Sequence, residues 1–514
     1  MTHPSLHAAR HPDKIVYRIA DSDEMMTYGE LEARSNQAAH LLRQLGLKAG
    51  DHFAGLLSNR LDMLVIAWAA QRSGLYFTPI STHLPAAEVA YIVDNSGAKA
   101  LITEAMFEEL IARLPEDLTG RVVLFCVGDP IPGFRRFDLE MAAMPETPIT
   151  DQVTGYNMFY SSGTTGRPKG IKPPFTGADI TMIGPLQLKL CRDVTGLGPD
   201  AVYLSPAPLY HAAPLLFVMM AAALGGEAVI ERKFDAESFL RHVEQYRITH
   251  SQLVPTMFVR MLKLTPEVRS RYDLSSLRCA VHAAAPCPEH VKRAMIDWWG
   301  PILVEYYGAS EAYGVTMVDS RDWLDHPGTV GRAVVGEVRI VGEDGRVLGP
   351  REVGTLYFAN GPKFSYHGEP EKTAQAFNAQ GWATVGDVGY VDEEGYLYLT
   401  DRKAYVINSG GVNVYPQQCE DLLTAHEAVL DAAVFGVPDE DMGEVVKAVV
   451  QLAPGFAPSA ELEAALITYC RDHLASIACP RSVDFVSELP RTPTGKLNKR
   501  FLRDQYWQKA GKKI

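Results

Sequence analysis

Short apolar segments of strand length alternate with helical stretches along the N-terminal part of this chain. Residues 28–46 carry apolar side chains at helical spacing. Phe53–Leu57, Ala100–Ile102 and Val122–Val127 have the length and composition of buried strands. Because strands that alternate with helices pair as parallel sheets covered by helices, the pattern predicts an α/β fold with layered, largely parallel sheets.

Two later regions have a different pattern. Three apolar segments lie between Gly, Asp and Glu turns and predict a β-rich subdomain: Gly336–Val341, Val353–Phe358 and Gly395–Leu399. Four segments after Asp401 predict a small α+β unit: Gln417–Leu423, Val429–Val437, Val445–Leu452 and Glu461–His473. A chain of 514 residues is too long for one compact core, so we expect at least two domains. These patterns alone place the domain boundary only to within tens of residues.

The acidic composition argues against one broad class of partner. The formal net charge is −13 and the isoelectric point is near 5.6. A nucleic-acid-binding protein presents a basic surface, so no nucleic-acid partner is expected. A local basic patch for a small anionic ligand is still compatible with this composition.

Cysteine usage and the terminal sequence indicate the compartment. The seven cysteines are scattered and form no Cys-x-x-Cys pair, which favours a reducing compartment over a zinc site or a disulfide framework. The N-terminus lacks the charged start and apolar run of a signal peptide. The apolar run Leu215–Leu224 is interrupted by Gly225 before it reaches membrane-spanning length. We therefore expect a cytoplasmic protein without a membrane span.

Residues Tyr160–Gly170, Tyr-Ser-Ser-Gly-Thr-Thr-Gly-Arg-Pro-Lys-Gly, combine three glycines, four Ser/Thr hydroxyls and two cations. Glycine lets backbone N–H groups turn toward an anion, while the hydroxyls and the lysine add further donors. The segment is not a Walker A motif, because neither Gly163 nor Gly166 is followed by Gly-Lys-Ser/Thr. A solvated loop is the usual interpretation of such a composition. Here the density of donors favours phosphate binding.

This segment resembles the phosphate loop of the adenylate-forming superfamily, which includes acyl-CoA synthetases, luciferases and the adenylation domains of peptide synthetases. Further matches follow in the family's order and cover essentially the whole chain: Tyr307–Glu311, Gly386–Gly389, Asp401–Lys403, Ser409–Pro416 and Pro493–Lys496. The segments at 400–403 and 409–416 look most like those of bacterial fatty-acyl-CoA synthetases.

The resemblance implies a two-domain ligase. Residues 1–401 would form an AMP- and acyl-binding domain, and residues 402–514 a small mobile domain that carries the catalytic lysine. The implied reaction converts a carboxylic acid and ATP to acyl-AMP and pyrophosphate, and then transfers the acyl group to CoA with release of AMP. Mg²⁺ is the implied cofactor. Cations and N–H dipoles are needed because two like charges ~4 Å apart repel by about 4 kcal/mol at an effective dielectric constant of about 20.

The resemblance also implies which residues hold the phosphates and the metal. Glu311 and Thr164 are expected to ligate Mg²⁺, which prefers oxygen ligands. The residues expected to contact the β- and γ-phosphates are Ser161, Ser162, Gly163, Thr164, Thr165, Gly166 and Lys169. Considered alone, Glu311 would be an ordinary surface acid. Ser310 stands where the family usually has threonine.

The nucleoside is expected to lie on aromatic and small residues. Tyr307 offers an aromatic face to adenine, Asp387 can accept hydrogen bonds from both ribose hydroxyls, and Arg402 adds a charged contact. The other residues implied at the nucleotide are Gly308, Ala309, Ser310, Ala284, Ala285 and Pro286. The family commonly has glycine in the alanine segment, and three consecutive alanines would also fit a core strand.

The C-terminal motifs imply the catalytic lysine and a hinge. By resemblance, Lys496 bridges the substrate carboxylate and the α-phosphate during adenylation, although a lysine near a C-terminus is normally a solvated charge. Ser409, Gly410 and Gly411 would form a narrow wall for the pantetheine arm of CoA after the small domain rotates. The family usually has Asp or Lys at the hinge, but this chain has Ala404 followed by a tyrosine. We therefore expect an altered balance between the two domain orientations.

The acyl pocket is expected to be apolar. His211 matches an aromatic gate beside the carboxylate, and a packed structural histidine is an equal alternative. We do not expect it to act as a general base, because a carboxylic acid is already ionised at neutral pH. The other residues expected to line the pocket are Ala212, Ala213, Met219, Met220, Met257, Phe258, His282 and Val315. No second fixed cation is evident, which favours a medium- or long-chain fatty acid or another bulky apolar monocarboxylic acid.

Other functions stay open at this point. An aryl- or steroid-acid CoA ligase is the alternative for the acid, and an acyl-AMP ligase that loads a carrier protein is the alternative for the acceptor. A non-catalytic nucleotide-binding homologue is disfavoured by the intact set Lys169, Glu311, Asp387, Arg402 and Lys496. A homodimer is compatible with the sequence.

Overall fold

The computed structural model describes residues 2–161, 167–182, 184–402, 405–491 and 497–509. Helices and strands alternate in the first 161 residues, as predicted. In chain order they are α1 (Pro4–Ala8), β1 (Ile15–Ile19), β2 (Met25–Thr27), α2 (Tyr28–Gln44), β3 (His52–Leu56), α3 (Leu61–Arg72), β4 (Tyr76–Pro79), α4 (Ala86–Asn95), β5 (Ala98–Glu104), α5 (Glu108–Ile111), α6 (Glu116–Thr119), β6 (Val123–Val127), β7 (Arg135–Arg136), α7 (Phe137–Ala142), β8 (Tyr156–Asn157) and β9 (Phe159–Ser161).

A six-stranded sheet organises this region. Its strand order is β7-β6-β5-β3-β4-β8, and all neighbouring strands are parallel. The three predicted strands correspond to β3, β5 and β6. The predicted helix is α2, which starts where the Thr27 side chain and the Glu30 side chain cap each other's backbone N–H groups. Strands of a parallel sheet are covered by helices on both faces, so they consist of nearly continuous apolar residues. This is why these strands could be predicted from the sequence.

The next region builds a larger sheet. Its elements are β10 (Lys169–Ile171), α8 (Pro185–Leu188), β11 (Val202–Ser205), α9 (Ala212–Ala223), β12 (Glu227–Ile230), α10 (Ala236–Gln245), β13 (His250–Leu253), α11 (Pro255–Leu262), α12 (Pro266–Arg269), β14 (Cys279–His282), α13 (Glu289–Trp299), β15 (Leu303–Gly308), β16 (Val315–Asp319), α14 (Ser320–Asp325) and β17 (Arg332–Val335). The nine-stranded sheet has the order β17-β16-β15-β14-β13-β11-β12-β1-β2. Its interior pairs are parallel, whereas β16, β17 and β2 pair antiparallel.

Helices cover both faces of the nine-stranded sheet. Cys279 and Val281 pack in one apolar cluster with α9, and Ala280 packs in another with α11 and α13. The apolar run noted in the sequence is α9, whose side chains are largely buried. In the part of the chain that the structure describes, no helix is long and apolar enough to cross a membrane.

The predicted β-rich region is a four-stranded antiparallel sheet. Its strands are β18 (Glu337–Val341), β19 (Gly354–Ala359), β20 (Asp387–Val391) and β21 (Leu397–Arg402), and helix α15 (Pro370–Gln375) lies between β19 and β20 in the chain. The strands follow one another in the order β18-β19-β20-β21.

The C-terminal segment forms the predicted α+β unit. Its elements are β22 (Ile407–Ser409), β23 (Val412–Val414), α16 (Pro416–Ala425), β24 (Val429–Asp439), β25 (Gly443–Leu452), α17 (Ala460–His473), β26 (Ser482–Val486) and α18 (Lys499–Lys509). The sheet order is β23-β22-β25-β24, with β26 parallel to β25. Helices α16 and α17 share a buried core with β24 and β25.

Candidate active site

Strand β15 carries the predicted nucleotide motif to the carboxyl edge of the nine-stranded sheet. Tyr307 and Gly308 are its last residues. The chain then turns, and the Ala312 N–H donates to the Ala309 carbonyl at 2.9 Å. The neighbouring parallel strand β14 ends at His282, in register with Glu305. Both predicted nucleotide segments therefore leave the sheet at the same edge, where open α/β sheets bind ligands.

Glu311 is held by a tyrosine that the sequence did not single out. The Tyr366 hydroxyl donates to Glu311 Oε1 at 2.8 Å, and Glu311 is 9% exposed. Burial, followed by the Glu311 charge, raises the pKa of Tyr366, so its hydroxyl stays protonated as a donor. Glu311 Oε2 makes no hydrogen bond to the described part of the chain. The carboxylate is thus fixed in orientation by one oxygen and presents the other.

The same tyrosine links Glu311 to the strand that follows the predicted phosphate loop. The Lys169 ammonium lies 4.7 Å from the centre of the Tyr366 ring. Strand β10 pairs antiparallel with β9, with Lys169 opposite Ser161. The backbone of Ile171 bridges to Tyr366. The two predicted phosphate-loop ends and the predicted metal ligand are therefore neighbours in space.

Tyr307 and Asp387 meet across the two sheets. The Tyr307 hydroxyl donates to Asp387 Oδ2, and its ring stacks on Phe358 with a centroid separation of 6.5 Å. Burial, followed by Tyr313 and Asp387, holds the pKa of Tyr307 well above 10. Asp387 is 6% exposed. The hydrogen bond fixes the carboxylate beside the predicted adenine-stacking ring.

Register brings the predicted ribose residues together. Asp387, the first residue of β20, pairs with Arg402, the last residue of β21. Residues directly opposite each other in an antiparallel pair have neighbouring Cβ atoms. Asp387, expected at the ribose, and Arg402, expected at the ribose or a phosphate, are therefore cross-strand neighbours.

The alanine segment after β14 has a strained backbone. Strand β14 ends at His282, so the core-strand alternative for Ala284, Ala285 and Pro286 is wrong. Ala284 has a φ of 75°, in the left-handed region that favours glycine, and its side chain is exposed. Strain of this kind is retained where a site requires a particular backbone path. A φ that favours glycine also explains why glycine is common here in the family that the segment resembles.

His211 stands at the start of α9. It is the N-cap residue of the helix, with extended backbone angles, and its ring lies 4.6 Å from that of Tyr210. Its Nε2 atom is buried without a hydrogen-bond partner in the described part of the chain. Burial, followed by the charge of His83, lowers the pKa of His211 to about 3. A neutral imidazole that does not take up a proton near pH 7 suits a packed gate and not a general base.

Three of the residues predicted to line the acyl pocket, His282, Met257 and Phe258, lie on the side of the sheet opposite to α9. His282 has the same orientation as Ala280 on β14, because side chains alternate along a strand, and its ring lies 5.3 Å from Phe258 of α11. Helix α9, which carries Ala212, Ala213 and Met219, packs on the opposite face. The structure therefore does not bring His282 and Phe258 together with α9.

A buried ion pair stabilises β15, the strand that carries the predicted nucleotide motif. Lys292 Nζ lies 2.6 Å from Glu305 Oε2, and the two side chains are 0% and 6% exposed. Burial raises the pKa of Glu305, although Lys292 opposes the shift. Burial and then Lys292 hold the pKa of His282 well below 6.5, so this imidazole is neutral. Glu305 lies two residues before Tyr307, so the pair fixes the strand that carries the nucleotide motif.

The hairpin β22–β23 carries Ser409, Gly410 and Gly411. Both glycines have positive φ angles of 56° and 83°, which closes the tight turn. The Gly410 N–H donates to the Met442 carbonyl at 2.8 Å, and Ser409 pairs with Gly443. These contacts lie within the C-terminal unit, and the described residues show none that joins the hairpin to Tyr307 or Glu311.

Several predicted residues lie outside the described part of the chain. They are Ser162, Gly163, Thr164, Thr165, Gly166 and Lys496. Arg402 is placed by its backbone at the end of β21. Among the residues that the structure describes, no group of three His, Cys, Asp or Glu side chains could hold a metal ion.

Sequence reasoning missed Tyr366 and the Lys292–Glu305 pair. Tyr366 lies in Phe-Ser-Tyr-His-Gly, which has the composition of an ordinary turn. Lys292 and Glu305 are 13 residues apart on a helix and a strand, so no local spacing marks them as partners. The only sequence signal that could have indicated their burial is a single charged residue surrounded by apolar neighbours.

Comparison with known proteins decides the family. Residues 5–364 match the model of the AMP-binding enzyme family, and residues 418–496 match that of the AMP-binding enzyme C-terminal domain. This chain belongs to the AMP-binding enzyme family. The predicted membership of the adenylate-forming superfamily is thereby confirmed.

Individual relatives of the family cover nearly the whole chain. The chain is 34% identical over 490 residues to a feruloyl-CoA synthase of an Amycolatopsis species, with 94% of each chain covered. It is 31% identical over 494 residues to the long-chain-fatty-acid–CoA ligase FadD13 of Mycobacterium tuberculosis, again with 94% of each covered. The crystal structure of ATP-bound MatB from Rhodopseudomonas palustris matches with a TM-score of 0.82 at 28% identity, over 98% of this chain and 99% of that one. The predicted fold and the prediction of an AMP-forming ligase are confirmed at the level of the family.

Proposed function

We propose that this chain is an ATP-dependent acyl-CoA ligase that converts a bulky apolar monocarboxylic acid to its CoA thioester by way of acyl-AMP. The observation that carries the proposal is the arrangement of Glu311, Tyr366 and Lys169. It joins an oriented carboxylate to the strand that leaves the phosphate loop. Two relatives, at 34% and 31% identity, are named a feruloyl-CoA synthase and a long-chain-fatty-acid–CoA ligase.

The chain fits a magnesium ion bound with ATP. Mg²⁺ is held in proteins by one or two carboxylates, substrate phosphates and water. Glu311 offers one carboxylate oxygen while Tyr366 orients the other, and Thr164 is proposed as a second ligand. The ion supplies positive charge that offsets the phosphate oxygens of ATP.

Nucleotide binding is assigned to the meeting point of β15, β20 and β21. Tyr307 would stack on adenine, and Asp387 would accept hydrogen bonds from the ribose hydroxyls. Arg402 is proposed to add a charged contact from the register position opposite Asp387. The strained backbone at Ala284 would bring the chain close to the adenine edge.

Adenylation requires only that like charges be brought together. A carboxylate oxygen of the acid attacks the α-phosphorus, and the bond from this phosphorus to the oxygen that bridges to the β-phosphate breaks. Pyrophosphate leaves with that electron pair. Ser161, Lys169 and the loop between them are proposed to hold the leaving phosphates, while Lys496 pairs with the carboxylate and the α-phosphate. No proton is transferred, so a neutral His211 is sufficient beside the acid.

Thioester formation is the second step. The CoA thiolate attacks the acyl carbonyl, the bond from the carbonyl carbon to the phosphate oxygen breaks, and AMP leaves. The thiol proton is released to solvent. Ser409, Gly410 and Gly411 are proposed to line the path of the pantetheine arm, where the two positive-φ glycines keep side chains out of the way.

We also propose the two-domain division at residues 401 and 402, with a hinge near Ala404. The two family models match separate ranges of the chain, on either side of this boundary. Ala404→Pro should restrict rotation, so thioester formation should slow more than adenylation. Equal rates of the two half-reactions in this variant would exclude the hinge assignment.

The acid is proposed to be a medium- or long-chain fatty acid. Helix α9 behind His211 is apolar throughout, and Met219 is a flexible side chain on its half-buried face. An aryl or steroid acid would fill the same kind of pocket. The cytoplasmic location and the homodimer stay predictions.

The test is pyrophosphate release with a panel of fatty, aryl and steroid acids, each with and without CoA. Lys496→Ala should abolish release, while Lys99→Ala, at a lysine side chain 52% exposed on β5, should retain it. Release that depends on one acid class and is stimulated by CoA supports the proposal and names the acid. Acid-dependent release without CoA stimulation would point to a carrier protein, and no release with any acid would contradict the ligase.

A further inference from the structure

Lys499 is a buried lysine close in sequence to the proposed catalytic lysine. It is the first residue of α18 and follows Lys496 by three residues. Its ammonium lies 2.8 Å from Glu420 Oε2 on α16, and both side chains are 8% exposed. The other Glu420 oxygen accepts the Val434 N–H at 2.7 Å. Both carboxylate oxygens of Glu420 therefore have partners within the C-terminal unit.

The chain on both sides of the Lys496 segment is anchored. Arg491 and Leu497, which flank residues 492–496, pair as an antiparallel bridge, and the Asn498 N–H donates to the Pro490 carbonyl at 2.8 Å. The Arg491 guanidinium contacts both oxygens of Asp431 at 2.5 and 2.6 Å. Lys499, the first residue of α18, adds its ion pair with Glu420 to these contacts. The described residues on both sides of residues 492–496 are thus held by contacts within the C-terminal unit.

The same lysine lies beside the residue that follows the proposed hinge. Its ammonium is 5.6 Å from the centre of the Tyr405 ring, directly after Ala404. Before the hinge, Asp401 Oδ2 accepts the Gln417 N–H at 3.2 Å, at the start of α16. A carboxylate at a helix N-terminus stabilises the helix through its exposed N–H groups. Asp401 therefore ties β21 to the helix that carries Glu420.

Electrostatics favour a charged Lys499 in this setting. Burial lowers the pKa of Lys499, but Glu420 and Asp401 outweigh it, so the pKa lies above 10.5. Burial raises the pKa of Glu420 to about 7, and that of the neighbouring Asp421 to about 6. At pH 8 the Lys499–Glu420 pair is ionised.

We infer that Lys499 is a positioning residue: its ion pair with Glu420 holds the start of α18, three residues after Lys496, against α16, and adenylation depends on this pair. The inference rests on the proposed ligase function and on Lys496 as its adenylating lysine. It also assigns contacts near the proposed hinge: Asp401 binds the N-terminus of α16, and Lys499 lies beside the Tyr405 ring.

The experiment separates the two half-reactions at pH 8 in the full-length chain. Adenylation is measured by acid-dependent exchange of pyrophosphate into ATP, and thioester formation by mixing preformed acyl-AMP with CoA. The variants are Lys499→Met and Glu420→Gln. Lys447→Met is the matched control, because Lys447 pairs with Asp484 at 2.5 Å in the same unit, and its side chain is 9% exposed. Thermal unfolding of every variant is recorded.

A misplaced catalytic group reduces the rate more than it reduces binding. We expect Lys499→Met and Glu420→Gln to lower kcat for adenylation by ~100-fold, with KM for ATP within about twofold of the wild type. Thioester formation from preformed acyl-AMP should change by less than about threefold. Lys447→Met should keep adenylation while its melting temperature falls.

Three results would overturn the inference. They are wild-type adenylation in both variants, an equal loss of both half-reactions, or a loss no greater than that of Lys447→Met at a comparable fall in melting temperature. If Lys499→Met does not fold, the isosteric Glu420→Gln decides. A wild-type chain without exchange activity on any acid would instead contradict the proposed function, and so the two failures are distinct.

Discussion

Tyr366 donates a 2.8 Å hydrogen bond to Glu311, across 55 residues of sequence. One oxygen of the proposed metal ligand is thereby occupied and its carboxylate is fixed in orientation. The Tyr366 ring also lies under the Lys169 ammonium, at 4.7 Å. A single side chain thus contacts both the proposed magnesium ligand and the end of the proposed phosphate loop.

Tyr366→Phe should weaken this arrangement while keeping the ring under Lys169. A hydrogen bond to a charged group contributes about 1.5–3 kcal/mol, so adenylation should slow by about 10- to 100-fold. The Mg²⁺ concentration that gives half the maximal rate should rise, because Glu311 is less well oriented. Pyrophosphate exchange over a Mg²⁺ titration measures both. An unchanged titration, equal to that of Tyr469→Phe in the C-terminal unit, would argue against the metal site.

Asp387→Asn should affect ATP binding more than the chemical step. An amide accepts a weaker hydrogen bond from a ribose hydroxyl than a carboxylate does, so KM for ATP should rise by about tenfold with a smaller change in kcat. The control is Asp344→Asn, at an exposed acid between β18 and β19. Initial rates at varied ATP decide the split. A fall in kcat alone would place Asp387 elsewhere in the reaction.

Ala284→Gly should stabilise the fold or leave it unchanged. Ala284 has a φ of 75°, and removing its Cβ relieves strain by up to about 1 kcal/mol, which offsets the greater entropy of glycine in the unfolded chain. Ala464→Gly, at an exposed position of α17, should instead lower the free energy of unfolding by about 1 kcal/mol. Denaturant titration compares the two variants. A clear loss of stability in Ala284→Gly would show that the backbone is not strained there.

Breaking the Lys292–Glu305 pair should destabilise the chain strongly. Lys292→Met leaves a buried carboxylate without its partner, which lowers the free energy of unfolding by about 3–5 kcal/mol. The double variant Lys292→Met with Glu305→Leu should recover most of this loss, because both charges are removed. Chemical denaturation measures the difference. Equal stability of the two variants would mean that the pair is not buried in solution.

His211 should make the fold sensitive to acid without affecting the pH profile of adenylation. Its pKa is lowered from 6.5 to about 3 by burial and the charge of His83. The unfolded chain therefore binds more protons between these values, and the contribution of His211 to stability, present above pH 6.5, is lost as the pH falls toward 3. Relative to His211→Asn, the wild type should lose stability between pH 7 and pH 4. Unfolding at several pH values tests this, and a stability difference that does not change with pH would show that His211 titrates normally.

The pH dependence of adenylation in the wild type and in His211→Asn provides a separate test. A neutral imidazole exchanges no proton between pH 6 and pH 8, so both proteins should share one profile. An inflection that disappears in His211→Asn would show that the histidine takes part in proton transfer.

Local pattern was enough to predict the fold class and several of its elements. Strands β3, β5 and β6 and helix α2 were predicted because alternating buried strands and a helix with one apolar face leave a periodic record in sequence. The α+β unit after Asp401 was predicted on the same grounds. The alanine segment was ambiguous, because three small apolar residues fit both a strand and a loop, and only the structure, in which β14 ends at His282 and Ala284 has a positive φ, separates the two.

The sequence by itself determined which chemical groups are present: the donors of the phosphate loop, the carboxylates of Glu311 and Asp387, and the two lysines of the resemblance. Tertiary structure decided which of them meet. Tyr366 with Glu311, Tyr307 with Asp387, and Lys499 with Glu420 are separated by 55, 80 and 79 residues. Partners so far apart in the chain leave no local period, since their contact depends on how sheets and helices pack. The face to which His282 points was decided in the same way, by the alternation of β14 between two helical layers.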